Sequence, residues 1–401
     1  MTSVVDTGVK NFNSTMTGAP VLNGTAGSLV ALLDAVLVNG FDLKSANSLT
    51  VAGGVATLGF TGSHSAQMDS VIVVAGSSIA ALNGEQKVTA IGAGVVKFAT
   101  AAADGVASGT ITIKIAPAGW EKVFSKANVG VYRSLDPAST KMLLRVDDTG
   151  TTIARVIGYE SMTDADTGVG PFPIAAQVAG GGYWGKSTVA NGTANPWAIH
   201  ADSRLFYFSP AVGVATAAAN VGSETRFFGD ILAAKPGGDA YACGLSYSTA
   251  TTANAIPDGA VFSGGSTAGT AFPRSYTALG SAVVQTIFSY VGNQGSPLAS
   301  GKDNTFGSFP SVIDGAMRLS NKYVTAGTVS PVRGDMPGIY HVPQSQVYDT
   351  FKQLDKVPGS GSLAGRVLQA VSCRDVSTGP TNAPLSGNTG IGFIDITGPW
   401  R

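Results

Sequence analysis

The sequence predicts a mainly β fold: a small β-sandwich or barrel module followed by a larger β-rich domain, with few short helices. Two observations carry this. Short runs of alternating apolar residues recur along the chain, bounded by Gly, Asn-Gly and Asp-Gly turns. Helical periodicity is confined to two short stretches. The 401 residues exceed one ordinary hydrophobic core, which points to more than one unit. The division read from texture is 1–45, 46–117 and 118–401.

Residues 1–24 carry no sustained period and several Asn, Gly and Thr, so they read as an extended arm or a poorly ordered terminus. A helix is expected from about Ala26 to the Asn39-Gly40 stop, with Leu29, Leu32, Leu33, Val36 and Leu37 on one face. Arm and helix are expected to dock on a neighbouring subunit. Six β runs then follow between Ser48 and Pro117: SLTVAGG, VATLGF, DSVIVVAG, QKVTAIG, VVKFAT and GTITIKIAP. In the last, Ile111, Ile113 and Ile115 share one face, and Thr112, Lys114 and Ala116 the other.

Beyond Trp120 the strand candidates are VGVYRSL, KMLLRVDD, TTIARVIGYE, WAIHADSRLFYFS, RFFGDILA, AYACGLSYS, VVQTIFSYV, RVLQAVSC and GIGFIDIT. Leu205 and Tyr207 face one way, Phe206 and Phe208 the other, so that strand is expected to lie between two apolar layers. Asn254–Arg274 and Gln294–Pro310 read as long contact loops. A second helix is expected over Gln344–Leu354, with Val347, Phe351 and Leu354 on one face.

Charge narrows the function classes. Only 12% of residues are charged, against roughly 25% in ordinary soluble domains, while 44% are hydrophobic. A surface of small uncharged residues suits packing against neighbours, because a buried Lys or Glu is costly to desolvate. The same composition fits a secreted β protein, but MTSVVDTGVKNFNSTMTG lacks the charged start, apolar stretch and cleavage site of a secretory signal. Cytoplasmic synthesis is expected. Lys plus Arg and Asp plus Glu are 25 each, which leaves no source for nucleic-acid attraction. No apolar run reaches the roughly 18 residues of a membrane span. Cys243 and Cys373 match neither metal-ligand spacing nor a disulfide framework and read as buried thiols.

Several motifs resemble chemistry. Gly180–Ser187, GGGYWGKS, fits the phosphate-loop pattern, with Lys186 and Ser187 at the expected start of a helix. The flanks oppose it: TVANGTANPW downstream carries Asn191-Gly192 and Asn195-Pro196 where that helix should run. The alternative is a glycine turn that lets Tyr183 and Trp184 pack. Asp164, Asp166 and Gly168 resemble the start of a calcium loop without its closing Glu, and Asp147 and Asp148 read as a hairpin turn. His64, His200 and His341 fall at no metal spacing. His200 with Asp202 has no accompanying nucleophile motif. No catalytic, cofactor or metal residue is therefore assigned, and no cofactor is expected.

Met16–Phe41, the β module through LNGEQKV at Leu82–Val88, and Arg145–Pro173 (RVDDTGTTIARVIGYESMTDADTGVGPFP) resemble virion structural proteins of tailed bacteriophages. Together they cover roughly a third of the chain. The second stretch also looks like small β units of tail and baseplate components. The resemblance implies a virion protein, made in the cytoplasm of an infected bacterium, and carries over no functional residue. The expectation is thus a non-enzymatic structural component of the tail or baseplate. Its partners would be itself, as a ring-like or trimeric homo-oligomer, and other virion proteins, with no nucleic acid and no membrane. The alternatives are a head-associated decoration or collar protein, and a receptor- or saccharide-binding spike using Tyr183, Trp184 and Trp197.

Overall fold

The computed structural model describes residues 3–212, 225–253, 268–290, 307–326, 331–344, 347–351, 353–371 and 392–401. The described structure is 45% strand and 6% helix, so the mainly β expectation holds. Among the described residues the strands form three antiparallel sheets of 8, 13 and 7 strands.

The 8-stranded sheet runs, in spatial order, Phe41–Ser45, Thr112–Ile115, Val71–Ala75, Gly84–Gly92, Val95–Ala99, Val55–Gly59, Ser48–Ala52 and Gly105–Val106. Its alternation is as read: Ile111, Ile113 and Ile115 are buried and Thr112 and Lys114 half-exposed, although Ala116 is buried too. The 13-stranded sheet follows the path Lys10–Asn13, Trp197–Ala201, Leu205–Pro210, Arg226–Asp230, Cys243–Ser248, Gly182–Gly185, Ile153–Met162, Leu143–Asp147, Val129–Ser134 and Trp120–Lys126. The 7-stranded sheet is built from Ile287–Ser289, Ser320–Thr325, Val332–His341, Gly392–Asp395, Val367–Val371 and Lys356–Pro358, with Leu232–Ala233 added beside Val332–His341.

One apolar cluster extends from Phe12 and the first helix through the 8-stranded sheet to one face of the large sheet, where it takes in Phe206 and Phe208. Leu205 and Tyr207, from the same strand, belong to a second cluster shared with Ile339, Ile394 and Trp400 of the C-terminal region. The double-sided pattern thus places Leu205–Pro210 between two cores, with every residue buried.

Four expectations are corrected. The N-terminal arm does not lie free for a neighbour: Lys10–Asn13 pairs with Trp197–Ala201 at the margin of the large sheet, and Val9, Phe12 and Leu22 are buried within the chain. The first helix, Ser28–Leu33, widens to a π-turn over Asp34–Asn39. It buries Leu29, Leu32, Leu33, Val36 and Leu37 against its own chain and so has no stripe left to dock. The second helix, described over Val347–Thr350, ends there and not at Leu354, which adopts a left-handed backbone and turns its N–H to Ala370 O. Ala268–Phe272, expected as loop, is a strand beside Cys243–Ser248, where Gly269 leaves room for the Tyr247 ring. Residues 254–267, 294–306 and Cys373 lie outside the described residues. Among the described residues, no helix is long and apolar enough to cross a membrane.

Candidate functional site

The phosphate-loop pattern dissolves into sheet. Gly180 and Gly181 have left-handed backbones and make the turn, and Gly182–Gly185 is a strand beside Ile153–Met162. Gly182 is required there, since a Cβ would meet Tyr247 Cβ at 2.2 Å. Lys186 and Ser187 point their N–H groups at Thr152 O, at 3.0 and 3.2 Å, and no helix follows them.

The Lys186 ammonium is instead buried, on the Asp148 carboxylate and 2.6 Å from Thr25 O. The reason lies at the first helix. Its capping position is Gly27, which has no side chain to receive the free N–H groups of the first turn. Asp148 supplies the acceptor from 119 residues away, taking the Leu29 N–H at 2.7 Å and the Val30 N–H at 3.3 Å. Burial pushes the Asp148 carboxyl up and the Lys186 ammonium down, and their attraction opposes both shifts. Asp147 makes the hairpin turn through Thr149, whereas Asp148, also read as a turn residue, is the helix cap.

The other sequence candidates are dispersed. Trp184 and Trp197 are 0% and 1% exposed and give their indole N–H to Ser246 O and Pro20 O, which removes both from any sugar-stacking surface. Tyr183 is half-buried beneath the Arg155 guanidinium, 4.4 Å from its ring centre. His200 Nε2 lies 2.7 Å from Gln369 Oε1, and burial holds its pKa down to about 4. Asp202 accepts the Arg204 and Leu205 N–H groups and pairs with Arg401, so it does not orient His200. His341 is buried beside Ser289, and His64 faces Gly92 O. Asp164 accepts the Asp166 and Thr167 N–H groups, while Asp166 pairs with Lys126 and Arg145. That arrangement is a turn braced by cations. Cys243 is a free, buried thiol. Among the described residues no cluster of three His, Cys, Asp or Glu could hold a metal ion.

Polar groups do converge at a place the sequence reading missed. Three cavities of about 250, 330 and 540 Å³ share Asp239 as a wall. The first is flanked by Lys235, Tyr276 and Arg333, the second by Arg204, Asp230 and Arg401, and the third by Ser139, Thr140 and Tyr241. Asp230 holds the Thr140 N–H and hydroxyl at 2.8 and 2.6 Å, and burial raises its pKa. Arg333 is 3% exposed, pairs with Asp239 at 2.9 Å, donates to Tyr241 O at 2.8 Å and lies over the Phe272 ring. The one signal in the sequence was Lys235–Asp239, KPGGD, a turn flanked by opposite charges.

No protein-family model matches the chain, and no curated protein is similar to it in sequence. Among solved structures, the phage phi92 endosialidase is similar over 89% of this chain and 52% of its own, with 11% identity and a TM-score of 0.16. The chain thus spans about half the length of that protein, and a likeness so slight carries no weight for fold or activity.

Proposed function

We propose that the chain is a non-enzymatic structural component of a tailed-phage virion, of its tail or baseplate, working as one copy among several in a symmetric assembly. The observation that carries the reading is a surface poor in charge that keeps large aliphatic side chains outside. Val312 and Ile313 are 93% and 89% exposed, and Val106, Leu279, Leu43 and Val169 all exceed two-thirds. Scattered exposed aliphatics are ordinary on a well-charged protein. With charge at 12% they leave little electrostatic opposition to association. The resemblance of Met16–Phe41, Leu82–Val88 and Arg145–Pro173 to virion proteins supports the location.

The sheet margins indicate how subunits would meet. Unpaired strand edges invite strand-to-strand joining unless they are short, bulged, or carry Lys or Pro. Here the end strands Gly105–Val106, Ile287–Ser289 and Lys356–Pro358 have two or three residues, the last with Lys and Pro. Trp120–Lys126 and Phe41–Ser45 are bulged and carry lysines. Association through faces and loops is therefore favoured over sheet extension. Light scattering on the purified chain tests the proposal: a closed oligomer several times 40.4 kDa is expected, and a stable monomer at micromolar concentration overturns self-assembly.

A further inference from the structure

We propose that Lys186 and Asp148 condense into an intramolecular isopeptide bond, a covalent staple within the large sheet. This goes beyond the structural role above and does not depend on it. The starting point is a nucleophile and an acyl carbon held together away from water: both side chains are fully buried, and the Lys186 amine lies on Asp148 Oδ1. Reactants held in contact are spared the entropic cost of meeting, a large part of the barrier to such a reaction in solution. The pair also joins strands that are not neighbours. Asp148 follows Leu143–Asp147 and Lys186 follows Gly182–Gly185, and Ile153–Met162 lies between these two strands, paired with both. A bond between positions 38 apart would therefore tie the sheet across its intervening strand.

The two carboxyl oxygens of Asp148 have different surroundings, and acyl transfer needs that difference. Oδ2 accepts the Leu29 N–H at 2.7 Å and the Val30 N–H at 3.3 Å, so the oxygen that gains charge when an amine adds to Cγ already faces two donors. Oδ1 faces the amine. Burial disfavours both charges, raising the carboxyl pKa and lowering that of the ammonium, and so favours passage of a proton from Nζ to Oδ1. The neutral amine adds its lone pair to Cγ, and the carbonyl π pair moves to Oδ2. When that pair returns, the Cγ–Oδ1 bond breaks and Oδ1 leaves as water, with the proton it received and a second from Nζ. Nζ keeps one hydrogen, nothing is oxidised or reduced, and no co-reactant enters. The dry site favours the product, since a neutral amide replaces two buried charges and the water escapes to bulk. The amide is also fully partnered: its oxygen, Oδ2, retains the two helix N–H groups, and its N–H has Thr25 O, 2.6 Å from Nζ.

Mass spectrometry of the purified full chain, denatured before injection, tests the proposal. After allowance for the substituted side chain, wild type is expected to be lighter than Lys186→Arg by one water. The variant has no amine to acylate, so it keeps its full mass whether or not it folds. Trypsin then locates the bond: the peptides Val146–Arg155 and Val156–Arg204 should appear joined, with no cut after Lys186. Full mass and cleavage after Lys186 in the bulk of the folded wild type would overturn the proposal. So would a water lost within Val146–Arg155 alone, as a cyclised aspartate, with no link to the Lys186 peptide.

Discussion

Two buried ion pairs in this molecule resemble each other in burial and differ in completeness. Lys186 and Asp148 have fully buried side chains, as very nearly do Arg333 and Asp239. Around the first, the ammonium is held by Asp148 and Thr25, while the carboxylate takes two helix N–H groups as well. Around the second, one guanidinium nitrogen is left over, and the pair walls a cavity. A cation beside a glycine run looks like a ligand site in sequence. The one whose partners all come from its own chain is architecture, and the other leaves a buried donor unmet.

The largest effect is expected from Asp148→Ala, which strands a buried ammonium and uncaps the first helix. Roughly 3–5 kcal/mol should be lost with the pair and about 1 with the cap, read by urea unfolding. A loss below 1 kcal/mol would mean that the pair does not hold the fold. Next comes His200, another buried titratable group, whose Nδ1 also lacks a partner. Its folded pKa, near 4, is below the ordinary 6.5, so the folded state binds fewer protons between these values. Its contribution is complete above pH 6.5 and disappears as pH falls to 4. Roughly 3 kcal/mol of acid sensitivity should therefore vanish in His200→Gln, seen as a flatter stability profile from pH 6.5 to 4.

Arg333→Lys keeps the charge opposite Asp239 but loses the fork and the orphaned nitrogen. About 2 kcal/mol of stability should go, read by urea unfolding; an unchanged midpoint would mean that the fork adds nothing to the pair. The smallest effect belongs to Lys235→Ala, within about 0.5 kcal/mol by thermal unfolding, as for any exposed lysine.

Period-2 patterning made the strands legible where one or both faces are buried. Ile111, Ile113 and Ile115 showed a one-sided strand, and Leu205–Phe208 one lying between two cores. Strands of small residues were not legible: Gly182–Gly185 and Ala268–Phe272 owe their conformation to neighbours such as Tyr247, far away in sequence. VVQTIFSYV read as one strand but divides at Thr286, Val283–Gln285 joining the large sheet and Ile287–Ser289 the C-terminal one. Site residues were harder still. Asp148 looked like a turn residue because the first helix N–H group it accepts lies 119 positions earlier. Lys235, Asp239 and Arg333 meet only because Leu232–Ala233 pairs with Val332–His341, a register no local pattern announces.

Whether the chain works through its faces and loops is seen most directly by electron cryo-microscopy of the purified assembly. The predicted map shows Val312 and Ile313 covered by a neighbouring subunit and the margins at Trp120–Lys126 and Lys356–Pro358 free of added strands. Those two residues facing solvent, in subunits joined by strand pairing at those margins, would contradict it.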